Sequence, residues 1–567
     1  MKGNLNTYRT KLRRCRSEIL YLALLAVCLG PNVLIAFHTG LGVAFGLLDI
    51  LLPLALYTLL LSAVRHPGVG VLLMLPVMFL SAFQLTLYCL FRETTISVDM
   101  WLNVQTTNSR EVGELLHNLV AAMTLVAVCY LPVVATGAVA LIRGWRLRQR
   151  SASHMRRGAV VALVLCVPFG IASFAGVPRP VWRSLFPADA IHNLVIALQR
   201  QRLTADYAAT SRHFSFEARS LADSALRQLH IIVIGETSRA DNWHLDGYPR
   251  HTTDALDTLG GLASWRRAFS QSNVTHKSVP MLLSHLDASD FRDSIFQVKG
   301  IISAFSEAGY ATAFFSSQQR NNSFIDFFGE EADTCVFIRD ALPPEADVHD
   351  RELLRLIAGE ISKGHPRQLI VVHTYGSHFN YRDRYGDADR RYLPDSYPSA
   401  SGAYRHAIVN AYDNSIVATS RLLRDIVELA RRSGVVATVA YTSDHGEDLF
   451  DRGSRRFLHA SAVPSYYQLH VPLLLWQSPG WRAAHPQMAE ALRRNADSVA
   501  VTSSALFHTV LDMADISTPY LDRTRSLVSP AYRPAPLLYL DDRNEAVSLR
   551  GSGIPQTDID AIEGRGR

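Results

Sequence analysis

The chain has 567 residues, of which 48% are hydrophobic and 19% are charged. Soluble domains carry about 25% charged residues, so this composition argues against a purely soluble, disordered or fibrous protein. The length is too great for one ordinary domain and suits two or three. The net charge of +6 could indicate nucleic-acid binding, but the Arg residues lie beside apolar segments, and we set that partner aside.

Five long apolar segments fill the first third of the chain, and each approaches the length of about 20 residues that a membrane-spanning helix needs. They are Ile19–Phe37, Leu41–Val64, Val69–Phe91, Asn118–Ile142 and Gly158–Val177. The first is not expected to be a cleaved signal peptide, because further spans follow it and no small-residue cleavage site stands out. We predict a five-helix transmembrane domain over residues 1–177.

Lys and Arg residues predict how this domain is oriented. They concentrate in the N-terminal tail, at Arg65 after the second span, and between Arg143 and Arg157 after the fourth span. Five crossings place these segments on one side, which the positive-inside rule assigns to the cytoplasm. Residues 94–117 and everything after Val177 then lie outside. We expect the larger part of the protein to lie on the side of the membrane away from the cytoplasm.

One acidic residue of the membrane spans and one cysteine of the outer part are informative. Asp49 lies inside the second span, where a charge is often functional; the alternative is a wetted position near the outer interface. Cys335 is the only cysteine of the outer part, so that part cannot contain an internal disulfide.

Residues 178–228 are predicted to form a bridge to the outer domain. Its large apolar residues recur at helical spacing: Trp182, Leu185, Phe186, Ile191, Leu194, Val195 and Leu198. Either an interfacial helix along the membrane or a linker helix packed on the next domain explains them. At the other end, residues 541–567 have few large apolar residues after Leu549 and are predicted to be a loose tail.

Between these segments, residues 229–540 have the pattern of an α/β domain. Short β-branched runs alternate with amphipathic helical stretches; the runs are Ile231–Ile234, Thr312–Phe315, Leu369–Val372, Val436–Tyr441 and Leu473–Trp476. This alternation predicts a mostly parallel sheet with helices on both faces.

Polar residues follow several of these strands directly. Glu236 follows the first run, Asp444 and His445 follow the fourth, and His373 and His378 follow the third. In such sheets the chemistry gathers at the carboxyl ends of the strands. Mixed carboxylate and imidazole ligands suit a divalent metal, with zinc favoured over manganese. Each residue alone is more often structural, so the prediction depends on their convergence.

Thr275 is the candidate nucleophile. It precedes the apolar residues Val279, Leu282 and Leu283, which predict the start of a helix. A helix N-terminus favours an anion, and a Thr hydroxyl beside a metal can be activated for attack. The alternative is an ordinary helix cap.

These residues carry a family resemblance. The segments Gly235-Glu236-Thr237, Thr275-x-x-Ser278-Val279-Pro280 and Ser443-Asp444-His445-Gly446-Glu447 resemble the alkaline phosphatase and sulfatase superfamily. More narrowly, the chain resembles membrane-anchored phosphoethanolamine transferases of the lipid A-modifying kind, from the five spans to about Leu527. The narrower resemblance is carried by Gly235–Asn242 with Gly247-Tyr248, by His373–His378 and by His470-Val471-Pro472.

The resemblance implies roles for individual residues. Glu236, Asp444 and His445 match zinc ligands, and Thr275 matches the nucleophile, which also contacts the zinc. One tightly bound zinc ion is expected, and a second is an open alternative.

The resemblance also implies substrate-binding residues. His378 and His459 match histidines that bind substrate phosphate, a second zinc or the departing group; His470 joins them or is structural. In the membrane part, Asn103, Thr107 and Glu111 share one face if their segment is helical, and the family uses such residues to hold the phosphoethanolamine head group. A solvated polar face is the alternative.

The implied reaction has two displacements. Thr275 attacks the phosphorus of phosphatidylethanolamine and diacylglycerol leaves; the phosphothreonine ester then passes phosphoethanolamine to an envelope acceptor, with lipid A or lipopolysaccharide core favoured. The alternatives are a phosphoglycerol transferase of the same superfamily and a catalytically inactive membrane sensor or scaffold.

The chain departs from the family pattern in three ways. The outer part lacks the family's disulfides. The segment before Thr275 is shorter and lacks the family's Cys-Gly, which leaves Ser272 and Thr237 as weaker candidates for the nucleophile. The acceptor is not fixed, because core sugars and glucans are alternatives to lipid A for a disulfide-free member. Thr at position 275 argues against a sulfatase, whose formylglycine needs Cys or Ser.

Overall fold

The structure is a computed structural model. It describes residues 15–36, 42–91, 95–106, 109–174, 184–343, 346, 348–496, 500–551 and 553–564. These divide into two compact units, a helical unit of residues 1–101 and 118–198 and an α/β unit of residues 102–117 and 199–567.

Long apolar helices make up most of the helical unit. The first seven helices among the described residues are α1 (Arg16–Ile35), α2 (Val43–Ala63), α3 (Pro67–Phe91), α4 (Val98–Thr106), α5 (Ser109–Ile142), α6 (Gln149–Phe174) and α7 (Ala188–Ala205). Five helices among the described residues are long and apolar enough to cross a membrane, which agrees with the five predicted spans.

The basic segments of the helical unit lie at one end of the helix bundle. The guanidinium of Arg16, at the start of α1, lies 4.4 Å from the ring centroid of Trp145, which follows α5. The backbone N–H of Leu147 donates to the carbonyl of Arg65 at 2.7 Å, so the loop before α3 meets the loop before α6. The segments that the Lys and Arg residues predict to lie on one side of the membrane therefore contact one another in the fold.

Asp49 of α2 is buried rather than wetted, with 2% of its surface exposed. Its Oδ1 accepts the backbone N–H of Phe186 at 3.0 Å. The side-chain amide of Asn32 donates to the carbonyls of both Asp49 and Phe186. These contacts fix the segment before α7 to α1 and α2, which gives Asp49 a structural use.

Helix α7 forms within the predicted bridge and is amphipathic. Ile191, Val195 and Leu198 are each between 44% and 49% exposed. Asn193 and Ala197, on the other side of the helix, are buried. An apolar, exposed side is typical of a helix that lies in a membrane interface.

A seven-stranded sheet forms the centre of the α/β unit, in the order β3-β12-β8-β2-β7-β5-β6. The strands of the unit are β1 (Arg219–Ser220), β2 (Gln228–Gly235), β3 (Leu262–Ser264), β4 (Ala268–Phe269), β5 (Ala311–Ser316), β6 (Thr334–Phe337), β7 (Arg367–His373), β8 (Val436–Ser443), β9 (Asp448–Leu449), β10 (Phe457–Leu458), β11 (His470–Val471), β12 (Leu473–Gln477), β13 (Val501–Thr502), β14 (Ile516–Ser517), β15 (Leu538–Leu540) and β16 (Ala546–Ser548). Neighbours from β8 to β6 are parallel, whereas β12 and β3 are antiparallel. The predicted mostly parallel sheet is confirmed.

Helices cover both faces of this sheet. The further helices among the described residues are α8 (Tyr207–Thr210), α9 (Thr275–Leu283), α10 (Phe291–Ser294), α11 (Ile301–Glu307), α12 (Phe324–Gly329), α13 (Leu353–Ser362), α14 (Arg405–Arg432), α15 (Tyr466–Leu469), α16 (Pro479–Ala484), α17 (Pro486–Ala496), α18 (Ala505–Met513) and α19 (Gln556–Glu563). Alternate residues of β2 enter opposite cores: Ile232 packs on the side of α9 and α11, and Ile231 packs on the side of α13 and α14. Burial on both faces explains why the parallel strands read as continuous apolar runs.

The C-terminal segment is packed, so the prediction of a loose tail is wrong for its described residues. Strands β15 and β16 pair, and α19 buries Ile559 and Ile562. These two side chains join a cluster that includes Phe269, Tyr466 and Tyr539.

Candidate metal and catalytic site

The sheet register brings two predicted strand ends together. Gly235 at the end of β2 pairs with Ser443 at the end of β8. Glu236 and Asp444 are the next residues of their chains, so the two carboxylates leave adjacent parallel strands side by side. His373, the last residue of β7, lies opposite Ile234 on the other edge of β2.

Glu236, Asp444 and His445 form a compact, buried cluster. One ligating atom from each lies within 4.8 Å of the others. Nε2 of His445 is 3.2 Å from Oδ2 of Asp444 and 3.6 Å from Oε1 of Glu236. The three side chains are at most 2% exposed.

Neighbouring hydrogen bonds orient the side chains of Asp444 and His445. Nδ1 of His445 donates to the carbonyl of Gly446 at 3.0 Å, so a neutral ring has no proton on Nε2, which can accept a hydrogen bond or bind a metal. The backbone N–H groups of Thr237 and His445 donate to Oδ1 of Asp444. Oδ2 of Asp444 has no hydrogen-bond partner among the described residues. Nε2 of His445 and Oδ2 of Asp444 therefore lie close together, while hydrogen bonds hold Nδ1 of the first side chain and Oδ1 of the second.

Thr275 is the first residue of α9 and lies against this cluster. Its Oγ1 is 3.4 Å from Oε1 of Glu236 and 3.3 Å from Nε2 of His445. The helix cap is Val274, which makes no side-chain cap hydrogen bond. The alternative interpretation of Thr275 as an ordinary cap is therefore wrong.

The two weaker candidates for the nucleophile have structural contacts instead. The hydroxyl of Thr237 donates to Oε1 of Glu236 at 2.8 Å. Ser272 is fully buried, and its Oγ accepts the backbone N–H of Val274 at 3.3 Å. Thr275 is the candidate that best combines partial exposure with contact to the cluster.

His459 and His378 extend the cluster on one side. The ring centroids of His459 and His445 are 4.2 Å apart, and those of His459 and His378 are 6.0 Å apart. Nδ1 of His378 donates to the carbonyl of Phe379 at 2.7 Å, which frees its Nε2. The structure thus brings both predicted histidines next to the three-residue cluster.

His470 does not join this group. Its Nδ1 lies 2.7 Å from Oδ2 of Asp241, and its Nε2 lies 2.9 Å from the carbonyl oxygen of Arg266. With both ring nitrogens engaged inside the fold, His470 fits the structural alternative.

The predicted head-group residues are only partly described. Asn103 lies in α4, and Glu111 lies in α5, where its side chain is not described. Thr107 lies outside the described residues. The common face of these three residues stays a prediction.

The sequence reasoning missed two residues of the site. Glu447 is fully buried, and its Oε2 lies 3.3 Å from Nδ1 of His459. The side-chain amide of Gln318, two residues after β5, donates to the carbonyl of Thr374 at 2.8 Å and approaches Oε2 of Glu236 at 3.3 Å. The strand-end rule that found Glu236 could have found Gln318 as well.

Burial dominates the electrostatics of the site. It raises the pKa of the Asp444 carboxyl to about 6 and lifts the pKa values of Glu236 and Glu447 above their ordinary range. Burial also lowers the pKa values of His445 and His459 to about 4, and neighbouring histidines add to that shift. Buried carboxyls beside neutral imidazoles require a positive charge from outside the chain or bound protons.

The donor set fits a divalent transition metal. Two carboxylates, one neutral imidazole and a hydroxyl supply four candidate ligands of the kind that zinc accepts. Oδ2 of Asp444, which has no hydrogen-bond partner among the described residues, and Nε2 of His445 are the atoms that would bind an ion. Hydrogen bonds to Oδ1 of Asp444 and from Nδ1 of His445 hold the two side chains in place, as is usual for metal ligands.

Comparisons with known proteins place this site in context. The model of the family described as Sulfatase matches residues 228–516, just over half of the chain. Phosphoethanolamine transferase EptC of Escherichia coli strain K12 is 24% identical over 314 residues, covering 53% of each chain. Kdo(2)-lipid A phosphoethanolamine 7''-transferase of the same strain is 26% identical over 301 residues, covering 51% of this chain and 52% of the relative. The chain thus spans about half the length of these curated relatives.

Solved structures show the same fold. The integral membrane protein lipooligosaccharide phosphoethanolamine transferase A (EptA) from Neisseria meningitidis matches 91% of this chain and 98% of its own, with 22% identity and a TM-score of 0.72. The C-terminal periplasmic domain of EptC from Escherichia coli, solved in complex with Zn, matches 60% of this chain and 97% of its own, with 23% identity and a TM-score of 0.54. Together with the five apolar helices, this likeness supports a multi-pass membrane protein.

Proposed function

The chain belongs to the sulfatase family, and from that premise we propose that it is a phosphoethanolamine transferase rather than a sulfate-ester hydrolase. The proposed reaction moves phosphoethanolamine from phosphatidylethanolamine to an envelope glycolipid or glycan, with lipid A or lipopolysaccharide core favoured. The observation that carries the proposal is Thr275 Oγ1, which lies 3.3 Å from His445 Nε2 in the buried cluster. The curated relatives, named as phosphoethanolamine transferases, supply the transferred group.

We propose that Glu236, Asp444, His445 and Thr275 hold a zinc ion. A bound zinc ion would lower the pKa of a hydroxyl and stabilise negative charge on a phosphoryl group. The chain contributes the fixed geometry, because hydrogen bonds hold Glu236, Asp444 and His445 in place before substrate arrives. A second ion beside His378 and His459 stays open.

The first displacement forms a bond between Thr275 Oγ1 and phosphorus and breaks the bond to the diacylglycerol oxygen. The hydroxyl proton of Thr275 leaves as its oxygen attacks, and the diacylglycerol oxygen takes up a proton. His378 and His459 lie beside the cluster and are the proposed partners of the phosphoryl oxygens and of the leaving group. The resulting phosphothreonine ester then passes phosphoethanolamine to an acceptor hydroxyl, which restores Thr275.

The membrane location follows from the donor. A lipid donor is concentrated in the bilayer, so anchoring raises its effective concentration at the site. We propose an inner-membrane protein with a cytoplasmic N-terminus and a periplasmic α/β unit. The basic segments at one end of the helix bundle support that orientation.

The test supplies two labelled lipids to the purified full chain in lipid nanodiscs. Phosphatidylethanolamine should yield diacylglycerol and a covalent phosphoethanolamine adduct that intact-protein mass spectrometry detects. Thr275→Ala should lose both products, whereas Thr275→Ser keeps a hydroxyl at the same position and should retain part of the turnover.

Other outcomes separate the alternatives. Turnover of phosphatidylglycerol in place of phosphatidylethanolamine would indicate a phosphoglycerol transferase. No turnover of either lipid, with no bound zinc, would indicate a sensor or scaffold. Full activity of Thr275→Ala would refute the proposed nucleophile.

A further inference from the structure

A second group of metal-ligating side chains lies outside the site described above. His244, His251 and Asp254 each offer one ligating atom, and the three atoms lie within 4.8 Å of one another. The ring centroids of His244 and His251 are 4.4 Å apart, and Nδ1 of His251 is 3.1 Å from Oδ1 of Asp254. Two imidazoles and a carboxylate this close are a donor set for a transition metal.

Hydrogen bonds prepare two of these side chains for coordination. Nδ1 of His244 donates to the carbonyl of Tyr248 at 2.9 Å, which fixes the tautomer and leaves Nε2 as the free nitrogen. Arg391 donates to Oδ2 of Asp254 at 2.9 Å, which leaves Oδ1 directed at His251. A ring N–H bonded to a backbone carbonyl and a carboxylate held by an outer partner are the usual surroundings of metal ligands.

The backbone that carries the group is held in place. The backbone N–H of His244 donates to Oγ1 of Thr252, and that hydroxyl donates to the carbonyl of Asn242. Arg250, between the two histidines, forms an ion pair with the buried carboxylate of Asp413 at 2.8 Å. The loop is therefore fastened to itself and to α14.

The distances between the three ligand atoms require one small adjustment before they could bind a zinc ion. Ligand atoms on a tetrahedral zinc ion, with bonds of about 2.0–2.2 Å, lie about 3.3 Å apart. The His251–Asp254 pair, at 3.1 Å, already has that spacing. The His251 side chain is 65% exposed, so its ring can rotate toward His244 without disturbing packing.

We propose that His244, His251 and Asp254 form a second, peripheral site for a divalent transition-metal ion, with zinc the best fit. Three protein ligands leave a coordination position for water or an outside ligand. The site would join the two ends of the loop that follows Glu236, eight residues before His244. It does not depend on the proposed transfer reaction.

The experiment counts zinc ions on the full chain. Purified protein in detergent is stripped with a chelator and titrated with zinc against a competing indicator. His251→Ala should bind one equivalent less than the unmodified chain, and Asp254→Asn should weaken the same equivalent. His365→Ala is the matched control, because His365 is exposed and belongs to neither ligand group among the described residues.

A second variant separates this equivalent from that of the buried cluster. Asp444→Asn should lose a different zinc ion and keep the one that His251→Ala removes. Cobalt substitution of Asp444→Asn should give an absorption band that disappears when His251→Ala is added. The proposal is overturned if the unmodified chain and His251→Ala bind the same number of zinc ions, or if Asp444→Asn binds none.

Discussion

Glu447 is the least compensated residue of the candidate site. It is fully buried, and its Oε1 has no hydrogen-bond partner in the described part of the chain. Burial raises its pKa, so its ionised form needs a nearby cation. Because its other oxygen lies 3.3 Å from Nδ1 of His459, Glu447 is placed to set the orientation and tautomer of that ring.

We predict that Glu447→Gln slows the proposed phosphoethanolamine transfer by about 10–100-fold, the usual effect of removing an outer partner of a ligand. The amide keeps the shape of the side chain but loses the charge that orients His459. Initial rates with labelled phosphatidylethanolamine measure the effect.

The matched control for this change is Glu360→Gln. Glu360, in α13, is also buried, but it pairs with Lys363, the residue after that helix, rather than with the site. Glu360→Gln should leave the rate nearly unchanged. Equal rates for the two variants, with both folded by circular dichroism, would contradict a role for Glu447 beside His459.

The sequence predicted the elements of the α/β unit where burial leaves a strong pattern. The parallel strands β2, β5, β7 and β8 read as apolar runs because both of their faces are covered. The same pattern located Glu236 and Asp444, since parallel strands end at one edge. The edge strand β3 has only three half-buried residues and left no comparable signal.

Contacts made by turns could not be predicted in this way. His244 and Asp254 lie close together because two short 3-10 turns fold back on each other. The periodicity of apolar residues in the sequence does not predict such an arrangement. His470 looked like a site residue because of its sequence context, yet β11 directs its ring toward Asp241. Strand ends are predictable from sequence, whereas loop geometry requires the structure.

The loop after β2 is held by a buried ion pair. Both terminal nitrogens of Arg239 donate to the carboxylate of Asp451, at 2.7 and 3.1 Å, and the two side chains are 5% and 7% exposed. The backbone N–H of Arg239 donates to the hydroxyl of Tyr412 in α14. The pair therefore fixes the segment that presents Glu236.

We predict that Arg239→Met destabilises the α/β unit by about 3 kcal/mol, because it leaves Asp451 buried without its main partner. The double variant Arg239→Met/Asp451→Asn should regain part of that loss, since the buried carboxylate is then gone and the charge that loses it as a partner, Arg405, is 44% exposed. Thermal unfolding of the purified full chain, followed by near-UV circular dichroism, measures both.

An exposed ion pair provides the control. Arg493 and Glu490 in α17 are 75% and 62% exposed. Arg493→Met should change stability by less than about 0.5 kcal/mol. If Arg239→Met behaves like Arg493→Met, the buried pair does not hold the loop.

On the scale of the whole chain, the prediction of a loose C-terminal tail was wrong for a simple reason. Few apolar residues follow Leu549, which suggested a loose segment. Ile554, Ile559 and Ile562 nevertheless suffice, because they complete a cluster whose larger members come from elsewhere in the chain. The composition of a segment counts its own apolar residues but does not show the apolar surface elsewhere in the chain against which they pack.

The sequence left two alternatives for the bridge, an interfacial helix and a packed linker helix. They differ in whether helix α7 contacts lipid. Ile191, Val195 and Leu198 expose an apolar stripe, whereas Ala190, Asn193 and Ala197 face the interior of the helical unit. An isolated Leu at a surface needs no explanation, but a stripe along one side of a helix is typical of an interfacial segment.

We predict that a spin label at position 195, in a full chain whose six native cysteines are replaced, is more accessible to oxygen than to a water-soluble nickel reagent in liposomes. Oxygen partitions into the acyl region, where an interfacial apolar side chain lies. A label at position 221, where the native Leu is 66% exposed in the α/β unit, should show the opposite preference. If the label at 195 prefers the nickel reagent as well, α7 is a linker helix outside the bilayer, and the apolar stripe needs a protein partner instead.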